Sequence, residues 1–259
     1  MERGQQALLD LIDRQLLAAL AEHRVMVSAQ LALLLDVPEA ESEQRLARLR
    51  EQGFLQQERV FEAQPAATWI TRHGLAAVER RLAVPRLDLK GYRHDVGVGW
   101  AWLAAREGAF GAVAEVISER EMRSHDRRAD REREPYGVTV GRLDARGRPI
   151  RHYPDLMLMT PDGRRLAVEL ELTTKSRARL DAIMLAYAGD PSIEGVLYLV
   201  ADRRLERLIG DAVNRAGIGD LVRVQRLAAG GITGAPEPDA LAARRPLASG
   251  RAADLELSR

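Results

Sequence analysis

From Leu166 to Lys175 the chain alternates: Leu166, Val168, Leu170 and Leu172 fall on one side, and Glu169, Glu171, Thr173 and Lys175 on the other. This period of two predicts a strand with one apolar face. Asp162-Gly163 just before it is a tight-turn signal. The run Tyr153 to Thr160 is apolar on both faces apart from Asp155, as in a strand enclosed within a sheet. After the alternating run, Ser176 can cap a helix whose Leu180, Ile183, Met184 and Tyr187 recur at helical spacing and which ends at Gly189-Asp190-Pro191. A short apolar strand (195–201), a helix from about Arg203 to Ala216 and a strand at 221–227 follow. Ahead of Asp155, residues 92–107 predict a helix and 112–117 a strand. The order helix, strand, strand, strand, helix, strand predicts an α/β (α+β) sandwich over residues 87–228.

The first third has helical texture. A helix from about Ala7 to Ala21 precedes Val27 to Pro38, where Ser28 is a plausible cap and Val37-Pro38 a stop. The next helix, 40–52, turns Leu46 and Leu49 inward and leaves Arg45, Arg48 and Arg50 as candidates for DNA contact. Residues 54–61 and 68–71 can form two short strands, and 71–81 a closing helix. Residues 1–86 therefore form a separate N-terminal domain in this reading.

The chemistry centres on the acids. A lone Asp155 in a buried strand needs a partner, because an unpaired buried carboxylate is costly. One solution is a divalent cation held with Glu169 and Glu171, since Mg²⁺ or Mn²⁺ takes carboxylate, water and phosphate oxygens. The other is an aspartate accepting backbone hydrogen bonds, beside two solvated glutamates on an edge strand. His94, and His152 just before Pro154-Asp155, invite catalytic roles, but a hydrogen-bonded structural role is the commoner one. Five histidines without cysteine give no zinc-ligand spacing.

Pro154-Asp155 followed by Glu169-Leu170-Glu171, with Lys175 close behind, resembles the PD-(D/E)xK nuclease superfamily. The resemblance implies a restriction-endonuclease-like fold in which Asp155 and Glu169, with Glu171, bind Mg²⁺ or Mn²⁺. It also implies a lysine two residues after Glu169. Here Glu171 occupies that place, and Lys175, four residues further on, is the substitute. The N-terminal pattern resembles the winged helix-turn-helix of MarR-like regulators. Together the two parts resemble the replication-relaxation family of plasmid and mobile-element proteins. That resemblance implies a DNA-binding accessory protein in plasmid replication or mobilisation, acting with a relaxase or a replication initiator, and leaves a homodimer open.

Charge tempers the picture. The segment through Pro85 carries ten arginines against twelve acids, so it lacks the excess of a strong non-specific DNA binder. Glu39, Glu41 and Glu43 crowd the start of the helix that carries the arginines; they suit its dipole but repel phosphate. The whole chain, 259 residues, has a formal charge of +1, so any nucleic-acid surface is a local patch. The run 119–134 mixes arginine with acid in the manner of a solvated face, and Arg146, Arg148 and Arg151 add to it. With 46% hydrophobic residues the chain can bury a substantial core plus a small module. It holds no cysteine, no secretory signal and no apolar run able to span a bilayer, and a cytoplasmic location is the expectation. Residues 229–259, rich in Ala, Gly, Pro and Arg, read as a flexible tail. Two functions remain open at this point. One is a metal-dependent DNA endonuclease or nickase; the other is a non-catalytic DNA-binding protein, regulator or adaptor on a nuclease-like fold.

Overall fold

The computed structural model describes residues 9–62, 64–128 and 134–227. The expected tail and the middle of the charged run lie outside these residues. The architecture is mixed α/β, built on a five-stranded mixed sheet.

The N-terminal part contains α1 (Leu11–Glu22), α2 (Ser28–Leu35), α3 (Glu39–Glu51), the strands β1 (Leu55–Glu58) and β2 (Ala67–Ile70), and α4 (Arg72–Ala77). Asp10 starts α1 through a reciprocal capping box with Asp13, which satisfies two otherwise orphaned backbone N–H groups. Ser28 is not the cap of α2. That place falls to Val27, whose N–H is taken by the Gln30 side chain at 3.0 Å, while Ser28 Oγ donates to Glu39. Asp36 ends α2 in the left-handed region at φ 53°, a conformation that Asp tolerates, and Pro38 leads into α3. Acids in the first turn of α3 and arginines in its last both complement the helix dipole. β1 and β2 pair antiparallel, and Met26 bridges to Thr68 beside them. α4 stops at Ala77, shorter than the expected 71–81.

The remaining elements are α5 (Tyr92–Arg106), β3 (Glu115–Ser118), α6 (Glu119–Arg128), β4 (Val138–Leu143), β5 (Pro149–His152), β6 (Leu156–Met159), β7 (Arg165–Glu171), α7 (Arg177–Ala188), β8 (Ile193–Val200), α8 (Arg203–Ala216) and β9 (Val222–Arg226). The sheet order is β3-β6-β7-β8-β9. β7 is antiparallel to β6 across the Asp162-Gly163 turn, where Gly163 takes φ 86°, and parallel to β8. The hairpin β4-β5 stands as a separate two-stranded sheet and was absent from the sequence pattern. α6 takes up the first ten residues of the charged run; it is anchored by Met122, which is fully buried.

Alternation along the strands divides the core. Leu156, Leu158, Val168, Leu170, Leu197 and Leu199 face α5 and the N-terminal helices in one cluster. Met157, Ala167, Val196, Tyr198 and Val200 face α7 and α8 in the other. The first cluster runs unbroken across residue 86, from α1 through α5 to the sheet. Gln30 of α2 strengthens that junction: its Nε2 donates to the Val96 carbonyl of α5 at 2.7 Å. A Cβ at Gly99 would stand 2.7 Å from the same amide nitrogen, so only glycine admits this approach.

Candidate active site

β7 is the third of five strands, and this decides the environment of its glutamates. Glu169 and Glu171 are each 3% exposed. The edge-strand alternative with solvated glutamates is therefore overturned: these carboxylates are buried and must be matched within the protein.

Glu169 Oε1 accepts the hydroxyl of Tyr187 on α7 and lies 2.5 Å from His152 Nε2 at the end of β5. Burial opposes charge on both members of the ion pair, but each supplies the other's counter-charge. His152 is held above its usual range, and Glu169 below its own, helped by Lys175 and Tyr187. Tyr187 itself is pushed well up by burial and by the charge of Glu169. Glu171 forms an ion pair with Lys175. Burial still raises its carboxyl, with Lys175 opposing. The strand ends at Glu171, so Lys175 reaches it by folding back from the following loop rather than by lying further along the strand.

Asp155 lies just ahead of β6, in the link from β5, and not within the strand as the sequence pattern implied. Its Oδ2 accepts the Leu170 backbone N–H at 2.7 Å and lies 3.3 Å from His94 Nε2 in the first turn of α5. The expected backbone hydrogen bond to Asp155 is thus present, alongside an ion pair that the sequence did not reveal. Burial pushes the Asp155 carboxyl up, against His94 and the Leu170 N–H. For His94 burial works downward, but Asp155 and Asp95 outweigh it and hold the imidazole at about 10.

Asp155, Glu169, Glu171 and Lys175 therefore gather at one end of the sheet, joined by His94, His152 and Tyr187. Tyr187 is the member that sequence reasoning missed. Its place on the apolar stripe of α7 was legible, but nothing in a helical period tells that a hydroxyl meets a carboxylate. As the side chains stand, no three His, Asp or Glu donors among the described residues are grouped closely enough to hold a metal ion. The donor chemistry is nevertheless that of a hard cation. Asp155 Oδ1, Glu169 Oε2 and Glu171 Oε1 make no hydrogen bond to another described residue. Side-chain rotation is what a shared ion would require. A cleft of about 700 Å³ lies at the other end of the sheet, lined by Thr160, Leu166, Gly195 and Val222, so the acids are not part of it.

The arginines of α3 are placed differently from expectation. Arg45 donates to Asp10 at 2.8 Å and to Asp13 at 2.7 Å, and Arg48 donates to Asp13 at 2.5 Å. Asp13 is 1% exposed, so both arginines serve as counter-charges to a buried acid of α1. Arg50 is exposed and has no ion-pair partner among the described residues.

No protein-family model matches this chain, and no curated protein matches it. Among solved structures, one described as PigF with SAH is similar at 16% identity and a TM-score of 0.19, over 82% of this chain. The chain spans 56% of that protein's length. A likeness at this level carries no argument about fold or chemistry.

Proposed function

We propose that this chain is a DNA-binding accessory protein of a mobile element, acting in plasmid replication or mobilisation beside a relaxase or replication initiator. In this reading residues 1–86 are a winged helix-turn-helix, and residues 87–228 a PD-(D/E)xK nuclease-like unit. The observation that carries the proposal is one of order: α1, α2, α3, the β1-β2 hairpin and α4 precede a sheet that sets Asp155 beside β6 and Glu169 on the adjacent antiparallel β7. In this reading the β1-β2 hairpin, which directly follows α3, is the wing. The charge pairing of the site favours a unit that does not cleave, because Asp155, Glu169 and Glu171 already meet His94, His152 and Lys175.

A second reading, an active metal-dependent endonuclease or nickase, is favoured by the three carboxylate oxygens that make no hydrogen bond to another described residue. In that case Asp155 and Glu169, with Glu171, would hold Mg²⁺ or Mn²⁺. The ion would polarise the phosphodiester and lower the pKa of bound water. Lys175 would orient the nucleophile, and Tyr187 and His152 would hold Glu169 Oε1 and leave Oε2 to the ion, while Asp155 and Glu171 turned toward it.

A plasmid-nicking and gel-shift assay with Mg²⁺ or Mn²⁺ tests both readings, comparing the native chain with the Asp155→Ala, Glu169→Ala variant. DNA retardation by both proteins without nicking is the outcome expected of the accessory protein. Metal-dependent nicking by the native chain alone would establish the endonuclease instead. Failure of the folded native chain to retard any DNA form would sink both readings and leave a regulator or adaptor that works through protein contacts.

A further inference from the structure

We propose that the main phosphate-backbone contact surface is the arginine rim around the acidic end of the sheet, formed by Arg177 and Arg179 of α7 and Arg203, Arg204 and Arg207 of α8. This inference rests on the DNA-binding reading above and moves its principal contacts away from α3.

Topology creates the rim. β7 and β8 are adjacent and parallel, with Glu171 in register with Val200, so the loops that follow them emerge side by side. α7 and α8 then return over the same face of the sheet and share one apolar cluster. Both helices therefore begin at the end of the sheet where β7 and β8 stop, with the last turn of α8 meeting the start of α7 through Arg215 and Asp181. Each first turn carries arginines.

The charges of the rim are not spent within the protein. Arg179, Arg203, Arg204 and Arg207 are exposed, and none lies within ion-pair distance of a carboxylate among the described residues. Arg177 lies 3.7 Å from Asp181, whose closer partner is Arg215 at 2.5 Å. The nearby acids are engaged elsewhere. Asp202 accepts the Leu205 N–H as the cap of α8, Glu206 pairs with Arg226 at 3.0 Å, and Glu171 pairs with Lys175. On α3 the reverse holds, because Asp13 takes up Arg45 and Arg48.

Exposed, unpaired guanidinium groups present planar donor forks that suit phosphate oxygens. Arginines spread over the starts of two helices at one end of the sheet fit an extended polyanion, whose phosphates repeat along a line, better than a single acidic side chain. Contacts of this kind position a nucleic acid without reading its sequence.

The test compares the full native chain with an Arg177→Gln, Arg179→Gln, Arg203→Gln, Arg204→Gln variant. Binding to a fluorescent 30-base-pair duplex is measured by anisotropy at several salt concentrations. An Arg142→Gln, Arg146→Gln variant, altered at the tip of the β4-β5 hairpin away from the His152 end, serves as the charge control. Because all four substituted side chains are exposed, circular dichroism and the melting temperature are expected to match the native chain. The expected result is at least a tenfold loss of affinity at 100 mM salt in the rim variant. Its log Kd against log salt slope should be shallower by about 3 to 4, at roughly 0.9 per lost phosphate contact. Native affinity and slope in the rim variant would overturn the rim while leaving DNA binding intact. An equal loss in the hairpin control, or displacement of the duplex by poly-glutamate at equal charge, would also overturn it. A native chain that binds no duplex even at 50 mM salt would overturn the DNA-binding reading and the rim together.

Discussion

Glu22 and His23 are neighbours at the end of α1 that respond to acid in opposite senses. His23 is fully buried against Trp102, its Nε2 has no hydrogen-bond partner among the described residues, and burial, with Arg120 adding to it, lowers its pKa to about 3. The unfolded chain protonates the same ring near 6.5 and so binds more protons between these values. Stability therefore falls as pH drops through that window. Glu22 is raised to about 7 by burial, against its ion pair with Arg80. Here the folded state binds more protons between about 4.5 and 7, and stability rises as pH falls. From pH 7.5 to 5.0 each linkage is worth about 2 kcal/mol, with opposite sign, so in the native chain the two nearly cancel. Single variants should uncover them. Relative to native, His23→Leu should gain about 2 kcal/mol over that pH change, and Glu22→Gln should lose about the same. Urea denaturation followed by circular dichroism at the two pH values reads these differences, since the other groups titrate alike in all three proteins. Identical pH dependence in native and both variants would refute the assignment of a neutral buried imidazole beside a protonatable, half-buried carboxyl.

Tyr187→Phe removes a hydroxyl that serves a buried carboxylate, and should destabilise the fold by about 1.5–3 kcal/mol in urea denaturation at pH 7.5. An unchanged midpoint would mean that Glu169 does not depend on it. Asp13→Asn should cost about 2–4 kcal/mol by breaking a buried ion-pair network, moderated because Arg48 is partly exposed. It should also free Arg45 and Arg48 and tighten duplex binding in the same anisotropy assay; weaker binding would contradict their role as counter-charges.

Legibility followed the range of the interactions. The β6-turn-β7 unit, α7, β8 and α8 were readable because strand and helix periods and the Asp162-Gly163 turn are local signals. The gathering of Asp155, Glu169 and Glu171 at one end of the sheet followed from that local reading. Three things did not. The β4-β5 hairpin has short, mostly exposed strands, and the alternation of Val138 and Val140 is too brief to mark them. The His94 to Asp155 contact joins residues 61 positions apart through the packing of α5, which no local pattern encodes. The α3 arginines looked available because a helical wheel shows which face they share but not that a buried acid from α1 sits against it.

α5 belongs to two neighbourhoods at once. Two residues after His94, its Val96 carbonyl is gripped by Gln30, and Gly99 is bare so that the grip can be close. Any displacement of α2, such as a ligand seated on the N-terminal unit would impose, must either break a buried hydrogen bond or carry α5 with it. The same helix carries His94, the counter-charge of Asp155. α5 thereby ties the N-terminal helices to the acidic end of the sheet, holding Gln30 near its middle and Asp155 at its start.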